Sequence, residues 1–130
     1  MMTVITKEEK IKAIRAIASI DKIKIDPHIL VVDINILAEV YSESETFQKA
    51  VSQLCHHLYL LVIGKVDTSD LGYNLKEWDS CHFQSKREKG QKADMRIIYR
   101  KENDYIIVAG FGNRFIPTEI YKRIANRMKE

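Results

Sequence analysis

The chain has two cysteines, two prolines, five glycines and one tryptophan in 130 residues. Each shortage excludes something. Cys55 and Cys81 form neither a metal-type spacing nor a disulfide framework, so free thiols in a reducing cytoplasm are expected. Pro27 and Pro117 stand beside element boundaries, and no Pro/Gly linker, internal repeat or low-complexity tract divides the chain. A single domain is therefore expected. No apolar run reaches the roughly 18 residues a membrane helix needs. The opening stretch "MMTVITKEEKIKAIRAIASI" carries charges through its apolar positions, unlike a signal peptide. No carboxylate cluster has metal-ligand spacing, so neither metal nor cofactor is expected.

What is present is an ordinary globular composition, 45% hydrophobic and 30% charged, with enough chain to bury a core. The net charge of +3 hides an asymmetry. Residues 1–80 hold 9 Lys/Arg against 12 Asp/Glu, a balance of −3, and residues 81–130 hold 12 against 6, a balance of +6. The densest stretch, "SKREKGQKADMRIIYRK" over 85–101, has 7 basic and 2 acidic residues. A basic half of this kind points to a polyanionic partner, nucleic acid being the commonest, against the plainer alternative of a solvated charged surface.

Thr6 and Glu9 form a capping box, and Ile11, Ile14, Ile17 and Ala18 give the apolar face of a helix over 7–20. In "KIKIDPHILVVDINI", Ile23 and Ile25 alternate with lysine. The β-branched run "HILVV" favours a strand near 29–33, with a short helix from Asp33 as the competing assignment. A second capping box at Ser42–Glu45 precedes a helix with Phe47, Val51, Leu54, Leu58 and Leu61 on one face, stopped by Gly64. "KVDTSDLGY" reads as a loop. Strands are expected near 81–87, 94–100 and 104–111, the last two as a hairpin. Pro117 then opens a final helix with Ile116, Ile120, Ile124 and Met128 in a stripe and basic residues crowding its C-terminal half. The expected class is α+β: N-terminal helices packed on one face of a small antiparallel sheet, with a C-terminal helix. Residues 1–27 are set apart as an N-terminal helical extension to a compact unit over 28–130.

The hairpin raises a chemical question. Alternation puts Arg96, Ile98 and Arg100 on one face and Ile97 and Tyr99 on the other. If the second face meets the helices, Arg96 and Arg100 face water. A turn at Gly112–Asn113 swings Arg114 across the same side, and Tyr121 could point there from the last helix. Lys86, Arg87, Lys89 and Lys92 would ring the place. Two arginines, several lysines and a tyrosine suit a phosphodiester backbone, since Arg grips phosphate with paired hydrogen bonds and Lys supplies point charge. Elsewhere the plain reading is preferred. Tyr99, Tyr105 and Phe111 read as core, Trp78 as a core or loop anchor, and His56 and His57 as packing or surface groups.

"DMRIIYRKENDYIIVAGFGNRF…IY" resembles the C-terminal hairpin of the RelE/ParE superfamily of bacterial toxins: an arginine-bearing strand, an apolar strand ending in G-x-R, and a tyrosine beyond. "CHFQSKRE" is similar to the basic strand preceding it. The resemblance is sharp over 94–121. It departs from the pattern at Asn113, where His or Lys is common, and in a longer stretch from Cys81 to Arg96. It implies a compact α+β fold and, in the RelE branch, an mRNA endonuclease acting on the ribosome and neutralised by a cognate antitoxin, as a monomer or in the toxin–antitoxin complex. Arg96, Arg114 and Tyr121 would be catalytic, with His82 as an alternative proton carrier. Lys86, Arg87, Lys89, Lys92 and Arg100 would bind RNA. The RNA 2′-hydroxyl is its own nucleophile, so charge stabilisation and proton transfer are what the protein must supply. Two other readings stay open: a gyrase inhibitor of the ParE type without catalysis, and a basic domain that binds nucleic acid without cutting it.

Overall fold

The computed structural model describes residues 4–65, 68–70, 77–115 and 119–129. The elements in order are α1 (Lys7–Ala18), β1 (Ile23–Ile25), α2 (Pro27–Val40), α3 (Ser44–Val62), β2 (Thr68–Asp70), β3 (Asp79–Phe83), β4 (Met95–Glu102), β5 (Tyr105–Asn113) and α4 (Ile120–Met128). The α+β architecture is the expected one.

Local signals explain most of the elements. The Thr6–Glu9 capping box closes α1, with Glu9 N donating to Thr6 Oγ1 at 3.1 Å and Thr6 N to Glu9 Oε1 at 3.2 Å. "HILVV" is not a strand but the first turns of α2. Asp26 caps this helix by accepting from His28 N at 2.8 Å, and Pro27 occupies its first turn, which costs a helix no hydrogen bond. An apolar run buried on more than one side has no clear period, so the Asp26–Pro27 start signal decides. The strand lies earlier, at Ile23–Ile25, where it pairs in parallel with Ile106–Val108 of β5. The Ser42–Glu45 box does not form. Glu43 is the N-cap of α3 and makes no side-chain cap bond, while Ser44 Oγ donates to Glu9 Oε2 at 2.8 Å and ties α3 to α1. Gly64 ends the helix region at φ +74°. Part of "KVDTSDLGY" is a strand: Thr68–Asp70 pairs antiparallel with Asp79–Cys81. Ile116 and Pro117 lie outside the described residues.

The sheet has the order β1-β5-β4-β3-β2 and is mixed, since its β1 edge is parallel to β5. β4 and β5 form a hairpin around Asn103, which takes φ +55°, a conformation Asn tolerates better than most residues. A bulge leaves Ala109 extra, between the pairs Ile98↔Gly110 and Tyr99↔Val108. On one face Ile97, Tyr99, Val108 and Phe111 pack with Ala13, Ile17, Ile34, Leu37, Leu54 and Leu58. The first 27 residues are thus integrated rather than appended: α1 contributes to this core and β1 to the sheet. On the other face Ile98 and Ala109 pack with Ile120 and Ile124 of α4, flanked by Trp78 and Tyr121. The helices therefore cover both faces, not one. That placement buries the face expected to be open.

β1 ends opposite Val108, leaving the outward backbone groups of 109–111 without a partner strand. Side chains replace it. The Asp33 carboxylate accepts from Phe111 N at 3.0 Å, Arg127 donates to Ala109 O at 2.8 Å, and Arg123 donates to Phe111 O at 2.7 Å. Asp33 is fully buried and is paired with Arg127 at 2.9 Å and Arg123 at 3.7 Å. Gly110 makes the approach possible: a Cβ there would run into Ile124, and would stand 2.7 Å from Arg127 Nη1 and 2.9 Å from Asp33 Oδ2.

Removing the carboxylate strands two cations and a buried N–H. Asp33→Ala is expected to cost about 3 kcal/mol, the scale for breaking a buried pair, as read from the urea midpoint. A cost under about 1 kcal/mol would show that the clamp is dispensable.

Candidate functional site

The face of the sheet beneath α4 carries a row of chemistry-bearing groups. The ladder sets His82 on β3 opposite Arg96 on β4, and Arg96 opposite Gly112 on β5. Alternation puts Ser80 on the same side as His82, away from buried Cys81 and Phe83. The Ile120/Ile124 stripe seats α4 so that Tyr121 comes down onto this row. Its Oη lies 3.2 Å from Ser80 Oγ, accepts from Arg96 Nε at 3.2 Å, and stands 3.5 Å from His82 Nε2. A hydroxyl that already accepts from a guanidinium keeps its own proton for a neighbouring acceptor, here Ser80 or His82.

Arg96 does not face water. It is 3% exposed, and its Nη1 donates to the carbonyls of Ala93 at 3.0 Å and Met95 at 2.9 Å. Its guanidinium orients Tyr121 rather than presenting a fork to solvent. His82 is exposed. Partial burial lowers its pKa below the ordinary 6.5, and the Arg96 and Arg114 charges add to the shift. A neutral imidazole with an accessible ring is thus present at neutral pH.

Arg114 is fixed at its backbone from both sides. Its N–H donates to Asp94 O at 2.8 Å, and its carbonyl accepts from Ile120 N at 2.9 Å. Its guanidinium lies over the Phe115 ring, 4.9 Å from the centroid. Asp94 is the anchor of this end of the sheet: its carboxylate accepts from Tyr41 Oη at 2.6 Å, Ser85 N at 2.8 Å and Ser85 Oγ at 2.5 Å. Asn113 joins it, donating to Tyr41 Oη at 3.1 Å and accepting from Phe115 N at 2.9 Å. Burial and the adjacent Asp94 carboxylate push the Tyr41 phenol up to about 12, so it stays neutral, donating to that carboxylate while accepting from Asn113.

Of the expected catalytic residues, Arg96, Tyr121 and His82 gather at one place, with Arg114 near enough to shift the imidazole. The expected RNA-binding residues do not join them. Lys86 pairs with Glu88 at 3.0 Å and, with Arg87, lines depressions against α3 on the other side of the sheet. Lys89 and Lys92 are exposed in the β3–β4 arm. Arg100 shares the Arg96 face but lies roughly 13 Å along the strand, stacked over Trp78 at 4.7 Å and paired with Glu102 at 2.9 Å and Glu77 at 3.6 Å. Ser80, Tyr41 and Asp94 are site-forming residues that no sequence signal marks, because their partners are 41, 53 and 53 residues away in the chain.

Cys55 and Cys81 are free thiols. Burial raises the Cys81 pKa to about 12 against the opposing charge of Arg96, which leaves it unreactive. Among the described residues, no helix is long and apolar enough to cross a membrane, and no group of three or more His, Cys, Asp or Glu could hold a metal ion. Comparison with known proteins returns no match among family models, curated proteins or solved structures.

This geometry sets expectations for His82 and for Tyr41. By imidazole NMR, His82 should titrate below 6.5, and Arg114→Gln should move the midpoint upward; an unmoved midpoint would separate Arg114 from the site. Because the folded pKa is depressed, the native state binds fewer protons than the unfolded chain near pH 6. Stability should therefore rise with pH through that window and fall as His82 is forced to charge. Tyr41→Phe should cost about 1–2 kcal/mol by leaving Asp94 short of a donor, with an upfield or downfield shift of the Arg114 amide reporting the loosened anchor.

Proposed function

We propose that the chain is an endoribonuclease of the RelE kind, cleaving mRNA on the ribosome in the cytoplasm and held in check by a cognate antitoxin. The observation that carries this reading is the convergence of Tyr121 Oη on Arg96, Ser80 and His82. The resemblance over 94–121 also supports it.

The chemistry needs little from the protein. His82 Nε2, neutral near pH 7, takes the proton of the RNA 2′-hydroxyl. The 2′ oxygen bonds to the adjacent phosphorus as the bond to the 5′ oxygen breaks. Arg114 steadies the charge that builds on the phosphoryl oxygens, and the Tyr121 hydroxyl returns a proton to the departing 5′ oxygen. Arg96 is a positioning residue, holding Tyr121 from beneath and adding its charge to the burial that keeps His82 uncharged. No step requires a metal, since the nucleophile belongs to the substrate. One observation favours a second reading, a domain that binds RNA without cutting it: the Arg96 guanidinium is spent on Tyr121 and two carbonyls.

Primer extension on mRNA in a cell-free translation reaction separates the two. Cleavage that falls about 10²-fold or more in His82→Ala and in Arg114→Ala, with melting temperatures unchanged, supports the nuclease. RNA retained without cuts would leave binding alone. Inhibited DNA supercoiling with intact mRNA would move the chain to the gyrase-directed reading.

A further inference from the structure

Of the cations that miss the His82 site, Lys86 and Arg87 lie together against α3. Two adjoining depressions of about 290 and 270 Å³ run along α3 and share Gln53 and Arg87. One wall is α3, with Lys49, Ser52, Gln53 and His57. The other is the segment after β3, with Lys86 and Arg87. We infer that this trough is a second RNA-binding site, holding the phosphate backbone on the opposite side of the sheet from His82. The inference rests on the nuclease reading for the identity of the polyanion.

Three features distinguish the trough from a solvated charged surface. The arm carrying Lys86 and Arg87 is held by its own hydrogen bonds. Gln84 Nε2 donates to Glu88 O at 2.9 Å and Gln91 O at 2.6 Å, Gln84 Oε1 accepts from Glu88 N at 3.0 Å, and Ser85 is locked to Asp94. The two cations therefore leave a built turn, with little ordering left to be done on binding. The floor is also built: His57 stacks on Phe83 at 4.5 Å, and its Nδ1 donates to Gln53 O at 2.8 Å. The charge is uncompensated at the centre. Lys49 pairs with Glu45 and Lys86 with Glu88, both exposed pairs, while Arg87 forms no salt bridge among the described residues. Arg87 lies where the two depressions meet, and its charge weighs on His57. An exposed carboxylate yields its lysine readily to a phosphate, because such pairs are worth little in water.

The test uses a 20-nucleotide RNA with every sugar 2′-O-methylated. That probe keeps the phosphates and removes the nucleophile, so binding is read apart from cleavage. By fluorescence anisotropy near 0.1 M salt, the double variant Lys86→Gln/Arg87→Gln should bind at least tenfold more weakly than the parent. Its log–log salt slope should be shallower by about 1.4, at about 0.7 per lost phosphate contact on a single strand. Lys49→Gln, on the other wall, should reduce the slope by about 0.7 more. Unchanged affinity and slope, a response confined to the arm with none from Lys49, or no binding by the parent would each overturn the inference. Cutting of unmodified RNA by the double variant is scored separately. If cutting of a short substrate persists while the trough variants bind normally, the trough fails and the nuclease stands. If the probe binds through the trough and no RNA is ever cut, the nuclease fails and the trough stands.

Discussion

A strand that stops early is the constraint on which this structure turns. β1 covers β5 only from Ile106 to Val108, and an edge with unpaired N–H and C=O groups cannot be buried as it stands. Asp33 and the two arginines of α4 supply what the missing residues would have supplied: one acceptor for Phe111 N and donors for Ala109 O and Phe111 O. A buried carboxylate is costly alone. Here it is repaid by two guanidiniums and a backbone donor, and the same contacts pin α4 to the sheet. The clamp therefore does two jobs with one set of side chains, sealing an edge and orienting a helix.

The site follows from that orientation. With α4 held along β5, Ile120 and Ile124 reach Ile98 and Ala109, and Tyr121 falls onto the row of His82, Arg96 and Gly112. The cost is access to Arg96, whose guanidinium is roofed over. The gain is a hydroxyl held by a charged donor beside an imidazole that partial burial, with the charges of two arginines, keeps neutral. The far end of the row depends on a separate anchor, Asp94, which fixes the β3–β4 arm through Ser85, the end of α2 through Tyr41 and the backbone of Arg114 through its own carbonyl.

Much of this was legible in the sequence, for reasons that differ by element. The Thr6–Glu9 box, the Phe47–Leu61 stripe and the hairpin around Asn103 are local signals that survive into the fold, whereas the Ser42–Glu45 box gives way to the Ser44–Glu9 contact between α3 and α1. "HILVV" misled because an apolar run carries no period, though the Asp26–Pro27 start lay beside it. β2 was invisible: "TSD" has no strand pattern, and only its pairing with β3 makes it one. The faces of β4 were read correctly, with Arg96, Ile98 and Arg100 on one side. What alternation could not say is that α4 would cover that side. Likewise the basic run 86–92 was plain, but whether it hangs over β4 or over α3 depends on the turn that Gln84 and Asp94 build, a contact pattern rather than a composition.

The distribution of acids completes the electrostatic logic. Asp33 is committed to Arg123 and Arg127, Glu77 and Glu102 to Arg100, Glu88 to Lys86 and Glu45 to Lys49. Asp94, the carboxylate closest in sequence to Arg96, is filled by Tyr41 and Ser85 instead. Among the described residues neither Arg96 nor Arg114 forms a salt bridge, although the chain holds 18 acidic residues. A fold selected for stability alone gains nothing by steering acids away from two neighbouring guanidiniums, since the mutual repulsion of such cations falls when a carboxylate is near. At His82, where partial burial already lowers the pKa, the Arg96 and Arg114 charges push in the same direction. The acids among the described residues are thus spent on α4, on the edge of β4 and along α3, and the positive potential beside His82 is left without a carboxylate to offset it.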